Sequence, residues 1–450
     1  MSEIVRIKRG LDIKLQGEAE KTLINTEKLG LYAIKPTDFI GLTPKLDVKP
    51  GDPVKVGTPL FFDKYRPEVK FTSPVSGKVI DINRGEKRKI LSVIIESDGK
   101  DDHIRFFSGD STSLSREKIT EILLESGMWP LIRQRPYNII ANPHHAPKSI
   151  FISGFDSAPL APDLDFVMRD SEKEFQTGIN ALKKLTDGKI HLSLQAATQV
   201  CATFSKVSNV EIHYFKGPHP AGNVGIQIHH IDPINKGDII WVVSPQNVAA
   251  IGKLFLEGIF DNTQVIALTG SEVLKPAYYK VSRGASIITF LKEKISSKEL
   301  RYISGNVLSG TQLMKDGFLG FYDNQISIIP EGNYFDFLGW ALPGIGKFST
   351  SHSFFSWLTP SKQYALDTNL KGGSRAYVMT GQYEKVFPMD IYPVQLIKAI
   401  LSENIDKMEQ LGIYEVVEED MALCEFVCTS KIEVQAILRK GLDLMRKEME

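Results

Sequence analysis

Residues 48–83 read VKPGDPVKVGTPLFFDKYRPEVKFTSPVSGKVIDIN. Short segments of alternating apolar and polar residues are separated by Pro50-Gly51-Asp52, Gly57-Thr58-Pro59 and Ser73-Pro74-Val75-Ser76-Gly77. Each interruption carries turn chemistry, and each segment carries the two-residue period of a half-buried strand. The last turn leads into another alternating run, Lys78 to Ile82, and Lys87 to Glu96 reads as one more strand. The polar run Ser97 to Asp102 then closes the unit.

This β-rich pattern resembles the flattened sandwich of biotinyl and lipoyl carrier domains, in which a hairpin-tip lysine receives a swinging arm. Lys64 falls near that tip. The residues that follow it, Tyr65, Arg66 and Pro67, place bulk and a fixed proline φ where a modifying ligase needs a tight turn. The expectation is an unmodified module serving as docking element or scaffold, with a Lys64 swinging arm as the competing reading.

Beyond the linker, strands and helices alternate. Helices are predicted over Ser115–Ser126, Ser171–Leu185, Ala196–Phe204 and Val248–Phe260, and strands over Ser149–Ser153, Lys189–Leu194, Val210–Tyr214 and Ile239–Val243. Such alternation implies βαβ units and a parallel, Rossmann-like sheet. From Gln264 the pattern changes to short strands with turns at Lys275-Pro276 and Arg283-Gly284, then a helix entered at Ser286, which predicts a small β-grasp (SLBB-like) unit. Short β-segments return over 301–335. After a loop rich in Gly, Ser, Trp and Phe, helices are predicted over Val394–Leu411 and Ile432–Met449. The fold class is therefore an α/β multidomain chain. It is expected to comprise a lipoyl/biotinyl-like β-sandwich hybrid (1–100), a Rossmann-like α/β domain (101–260), a β-grasp domain with return segments (261–335), an aromatic and Gly-rich loop region (336–391) and a C-terminal helical bundle (392–450).

At 450 residues the chain can hold several cores. Its 54 Lys and Arg balance 54 Asp and Glu, so no global field attracts nucleic acid or an anionic lipid surface. Three cysteines, Cys201, Cys424 and Cys428, argue for a reducing compartment. The opening MSEIVRIKRG is charged and unlike a secretory signal. No stretch approaches the roughly 20 apolar residues that span a bilayer, since Val248–Phe260 is cut by Lys253 and Glu257. Work at a membrane would require a partner.

The motifs are instructive mainly by what they lack. A dinucleotide fingerprint needs glycines whose backbone N–H groups approach a pyrophosphate. The nearest approximation is the loop Gly217, Pro218, His219, Pro220, Ala221 and Gly222, whose prolines remove two donors. It is read as a rigid connection, with a ligand or partner loop as the alternative. Pro343-Gly344-Ile345-Gly346-Lys347-Phe348 fails as a P-loop, with Ala341 and Phe348 at two defining positions. The adjacent pairs His144-His145 and His229-His230 point apart and make no metal grip, so no metal ligand is predicted. Cys424 and Cys428 keep only the last spacing of a ferredoxin segment. Glu418 and Met421 stand at two cysteine positions and Thr429 at the proline. They are read as buried helical cysteines or as the remnant of a cluster domain.

The carrier-like module, WPLIRQRPY (129–137), GPHPAG (217–222), IALTGS (266–271) and ALCEFVC (422–428) together resemble the NqrA subunits of the sodium-translocating NADH:quinone oxidoreductases, in order and across nearly the whole chain. That family is similar to the C subunit of the Rnf complex and to the flavin subunit of respiratory complex I. The resemblance implies a peripheral subunit on the cytoplasmic face of the bacterial inner membrane, beside five other subunits, in a pump that couples NADH oxidation to Na+ export. It further implies that FAD, FMN, iron–sulfur centres and the NADH site belong to other subunits, and that this chain binds no cofactor. Quinone is a further contact the resemblance leaves open. Phe335, Phe337, Trp340, Phe348, Phe354, Phe355 and Trp357 could line such a site, although burial against anchoring subunits is the favoured reading. The alternative from another class is a catalytic subunit that binds FMN or NADH in the Rossmann-like domain.

Overall fold

The computed structural model describes residues 4–27, 30–107, 113–196, 200–291, 294–296, 299–334, 337, 339, 342–350 and 353–449. The stretch 48–83 folds as its turns dictate. One sheet orders the strands Gly30–Ile34, Ile90–Ser97, Gly77–Arg84 and Pro53–Val54, and a second orders Pro44–Leu46, Pro59–Asp63 and Lys70–Thr72. Leu60, Phe61, Val69, Phe71, Val79 and Val93 are buried in this unit, with the Phe61 and Phe71 rings stacked at 4.7 Å. Lys64 is exposed in the bend after Asp63. The buried Asp63 carboxylate accepts from the Tyr65 N–H and from Arg66 Nε at 3.1 Å, which braces the bend that the bulky residues fill.

A seven-stranded sheet follows, in the order Ile4–Arg6, Glu211–Lys216, Lys189–Gln195, Ser149–Ser153, Ile240–Val242, Arg133–Arg135 and Ile139–Ile140. The first five strands are parallel, as the βαβ pattern predicts. The last two form an antiparallel hairpin on the edge, which alternation alone does not announce. Ile150, Ile152 and Leu192 face one layer, the helices Glu172–Lys183 and Pro245–Glu257. Phe151 and Phe215 face the other, made by the helix Val224–Ile231 and the C-terminal helices. The helix predicted over Ala196–Phe204 is limited among the described residues to Ala202–Ser205, and residues 197–199 lie outside them.

The β-grasp region is a six-stranded sheet in the order Thr311–Leu313, Leu300–Ser304, Gln325–Pro330, Thr263–Thr269, Ala277–Ser282 and Glu20–Asn25. The helix expected from Ser286 is a short turn, Ile288–Leu291. Two of these assignments reach back to the start of the sequence. Ile4–Arg6 pairs with Glu211–Lys216, and Glu20–Asn25 pairs with Ala277–Ser282, so neither segment joins the strands of the β-sandwich.

The C-terminal region is helical: Tyr383–Val386, Pro393–Leu401, Ile405–Gln410, Ala422–Val427 and Val434–Met449. The single helix expected over Val394–Leu411 is two. Glu403 takes a positive φ of 51°, and the Asn404 side chain accepts from the Lys407 N–H to start the second helix. Cys424 lies in Ala422–Val427, but Cys428 follows it with extended backbone, so the expected pair on one helix face does not form. Both thiols are buried and free.

Candidate functional site

In a parallel sheet, ligand crevices form at the carboxyl ends of strands where the winding reverses. Here the chain runs from Ser149–Ser153 outward to Lys189–Gln195 and Glu211–Lys216, then returns to Ile240–Val242 on the other side. The connections leaving Ser153 and Val242 therefore diverge. A cavity of about 240 Å³ opens there, lined among others by Asp156, His219, Gly222, Asn247, Arg283 and Glu419. A wider surface groove of about 530 Å³ elsewhere is a seam between the loop at 234–236 and the C-terminal helical region, crossed by a Lys236–Glu409 ion pair of 2.8 Å.

The loop Gly217–Gly222 forms one wall, and three of its four N–H donors are already in use. The His219 N–H donates to Asp12 Oδ1 at 2.9 Å, the Ala221 N–H to the Pro218 carbonyl at 2.9 Å, and the Gly222 N–H to Ser157 Oγ at 2.8 Å. A Cβ on Gly222 would lie 2.4 Å from the Ser157 nitrogen, so the close approach needs glycine. With two prolines in the same run, no row of free N–H groups remains to cradle a pyrophosphate. The cavity is also below the roughly 300–1,000 Å³ typical of sites for drug-sized ligands, which argues against a whole dinucleotide. The loop is held instead by Asp12 and Ser157, and the residue after it, Asn223, reaches the C-terminal region, where its Nδ2 donates to the Glu419 carbonyl at 2.9 Å.

The electrostatics are mixed in sign. Burial pushes the Asp156 carboxyl up to about 6, and the nearby Glu419 charge adds to the effect. Burial pushes the His219 imidazole down to about 4, which keeps it neutral beside Ser157 Oγ at 3.1 Å. Desolvation lowers the Arg283 guanidinium to about 10, still charged at neutral pH, while it donates to the Phe321 carbonyl at 2.7 Å and to Asn247 Oδ1 at 2.6 Å. A crevice with buried groups of both signs suits one small polar group.

The remaining candidates are dispersed. His144 lies exposed beside Glu68 Oε1 at 3.2 Å, and His229 Nδ1 sits 2.7 Å from Glu415 Oε2. His230 Nδ1 is 2.8 Å from the Ile226 carbonyl oxygen, while His145 Nε2 is 3.3 Å from Asn142 Nδ2. Phe335 and Trp340 lie outside the described residues. Phe348 turns inward against Phe426 with ring centroids 5.9 Å apart, whereas Phe337, Phe355 and Trp357 are more than half exposed. The described aromatics therefore do not converge on one cleft. Sequence reasoning missed another group, His191, Glu211 and His213, which pairing of two strands brings together. The one available signal was the alternation of His-x-Ser and Glu-x-His in two predicted strands.

Comparison with known proteins agrees with this layout. Residues 5–98 match the NqrA N-terminal barrel-sandwich hybrid domain, 114–260 the NqrA second alpha/beta domain and 265–315 the NQRA C-terminal domain of SLBB type. The corresponding NqrA subunit of the Na(+)-translocating NADH-quinone reductase of Rhodopirellula baltica is 38% identical over 99% of this chain and 98% of its own length. The chain belongs to the NqrA family of Na+-translocating NADH-quinone reductase subunits. Two other members of that family, from Vibrio anguillarum and Yersinia pestis, are 38% and 37% identical, each over 99% of this chain and 100% of their own length. An NAD+-reducing [NiFe]-hydrogenase structure superposes with a TM-score of 0.41 at 11% identity, over 75% of this chain and 62% of that one, too loosely to establish a common fold. NqrA membership joins the β-sandwich hybrid, the α/β sheet and the SLBB sheet into one family architecture.

Proposed function

We propose that this chain is the peripheral NqrA subunit of a sodium-pumping NADH-quinone reductase, held on the cytoplasmic face of a bacterial inner membrane by the other five subunits. Its role is assembly and interaction, and flavins, iron–sulfur centres and the NADH site belong to its neighbours. Two features favour that division. In the Gly217–Gly222 loop the His219 and Gly222 N–H groups are taken up by Asp12 and Ser157, and Cys424 and Cys428 fall short of the four thiolates a cubane needs. Among the described residues no helix is long and apolar enough to cross a membrane.

The observation that carries the docking role is the segment 337–379. Phe337, Leu342, Ile345, Phe355, Trp357 and Leu358 are each more than half exposed, an apolar concentration of the kind that marks an interaction surface. Quinone, if it meets this chain, would meet it where that segment joins a neighbour, because the exposed aromatics among the described residues do not converge.

The test is assembly. Phe355→Ser with Leu358→Ser should leave the purified chain folded by circular dichroism and abolish its co-purification with the membrane-embedded subunits. Undiminished co-purification would remove the docking role. Visible absorbance of stoichiometric flavin in the chain purified alone would overturn the assignment of cofactors to its neighbours.

A further inference from the structure

Strands Lys189–Gln195 and Glu211–Lys216 are parallel neighbours in which His191 stands opposite Glu211 and Ser193 opposite His213. Alternate residues share a face, so His191, Glu211 and His213 project to the same side. His191 Nδ1 lies 3.0 Å from His213 Nε2, and Glu211 Oε2 lies 3.8 Å from His191 Nδ1. One ligand atom from each of the three falls within 4.8 Å of the other two. Two imidazole nitrogens bound tetrahedrally to one ion at about 2.0–2.1 Å are themselves about 3.3 Å apart, so a parting of a few tenths of an ångström would admit a shared ion.

We propose that His191 Nδ1, His213 Nε2 and Glu211 Oε2 form a binding site for a divalent transition-metal ion of the zinc class. Two imidazoles and a carboxylate are a borderline donor set, which selects zinc, cobalt, nickel or copper over magnesium or calcium. The site is supported from behind, where the Phe151 ring packs on His191 with centroids 4.6 Å apart. Its outer side is open, since the Glu211 side chain is 45% exposed, which leaves room for water to complete the coordination.

The surrounding charges are mixed in sign. Glu211 and Asp232 act on His191 as negative charges, against His213 and Lys189. Lys189 Nζ holds Glu211 Oε1 at 2.8 Å, on the oxygen other than the one nearest His191, and its side chain is 66% exposed. Ser193, opposite His213 in the register, has a buried hydroxyl without a hydrogen-bond partner. The competing account is a plain hydrogen bond between two neutral rings.

The experiment titrates the chelator-stripped full chain with Co2+ and follows the d–d absorption, then adds Zn2+ in competition. One equivalent of Co2+, displaced by Zn2+, is expected. His213→Ala should weaken binding at least tenfold, whereas the surface variant His144→Ala should leave it unchanged. No saturable one-equivalent binding, or unchanged affinity in His213→Ala, would overturn the site. Should His213→Ala fail to fold, electron paramagnetic resonance of Cu2+ on the unaltered chain decides. Coupling to two imidazole nitrogens upholds the site, and coupling to one or none rejects it.

Discussion

Gly252 and Glu174 meet backbone to backbone where the helices Pro245–Glu257 and Glu172–Lys183 cross. A Cβ on Gly252 would lie 1.7 Å from the Glu174 carbonyl oxygen, and one on Gly178 would lie 2.0 Å from that of Val248. Gly252→Ala would ordinarily gain about 1 kcal/mol of helix propensity. Here overpacking, at a gross cost of about 1–3 kcal/mol, should dominate, with a net loss of up to about 2 kcal/mol in urea unfolding. A variant as stable as the parent would mean that the helices slide apart freely.

Arg135 is almost fully buried and donates to Asp420 Oδ2 at 3.3 Å and to Glu419 Oε1 at 2.7 Å, tying the sheet edge to the C-terminal helices. Removing one partner of such a pair strands the other, so Arg135→Met should cost about 3–5 kcal/mol at pH 7. Burial already raises the Asp420 carboxyl above its ordinary value. Without the guanidinium that carboxyl should rise further and take up a proton, and the loss should shrink as pH falls. Unfolding curves at pH 7 and pH 5 test both parts.

Asp156 supplies a pH signature. Its folded-state value of about 6 lies above the ordinary 3.8, so the folded chain binds this proton more tightly than the unfolded one. The ionised carboxylate therefore costs stability above pH 6, and the cost is relieved as pH falls from about 6 toward 4. Asp156 keeps some solvent contact at the crevice wall, which limits the cost to about 2 kcal/mol. Asp156→Asn should stabilise the chain at pH 8 and do nothing at pH 4. Stabilisation that is equal at both values would assign the effect to packing.

Asn404→Ala should remove the side-chain acceptor that starts Ile405–Gln410, at a cost of about 1 kcal/mol. Thermal unfolding would measure it, and Asn404→Asp, which retains an acceptor, should stay close to the parent.

That residue also shows where sequence reading stops. The β-sandwich turns and the strands Ser149–Ser153 and Lys189–Gln195 are legible because local alternation and turn chemistry fix them. The helical period of Val394–Leu411 passes straight through Asn404, so the break is visible only once the capping bond is seen. Glu20–Asn25 is exposed along its whole length and carries no burial pattern, and its partner Ala277–Ser282 is distant in sequence. The crevice required the order of the strands, and the His191–His213 pair required their register. Gly217–Gly222 stood out by composition, but the fate of its N–H groups did not.

Ile4–Arg6 and Glu20–Asn25 close the edges of two different sheets with partners that begin at Glu211 and Ala277. On the ribosome these two segments emerge long before either partner exists. Neither sheet can therefore be completed in the order of synthesis: the first must wait for Val242 and the second for Pro330 to clear the exit tunnel. The early segments act as late stitches, so a nascent chain halted before Lys216 carries two unpaired strands open to wrong company.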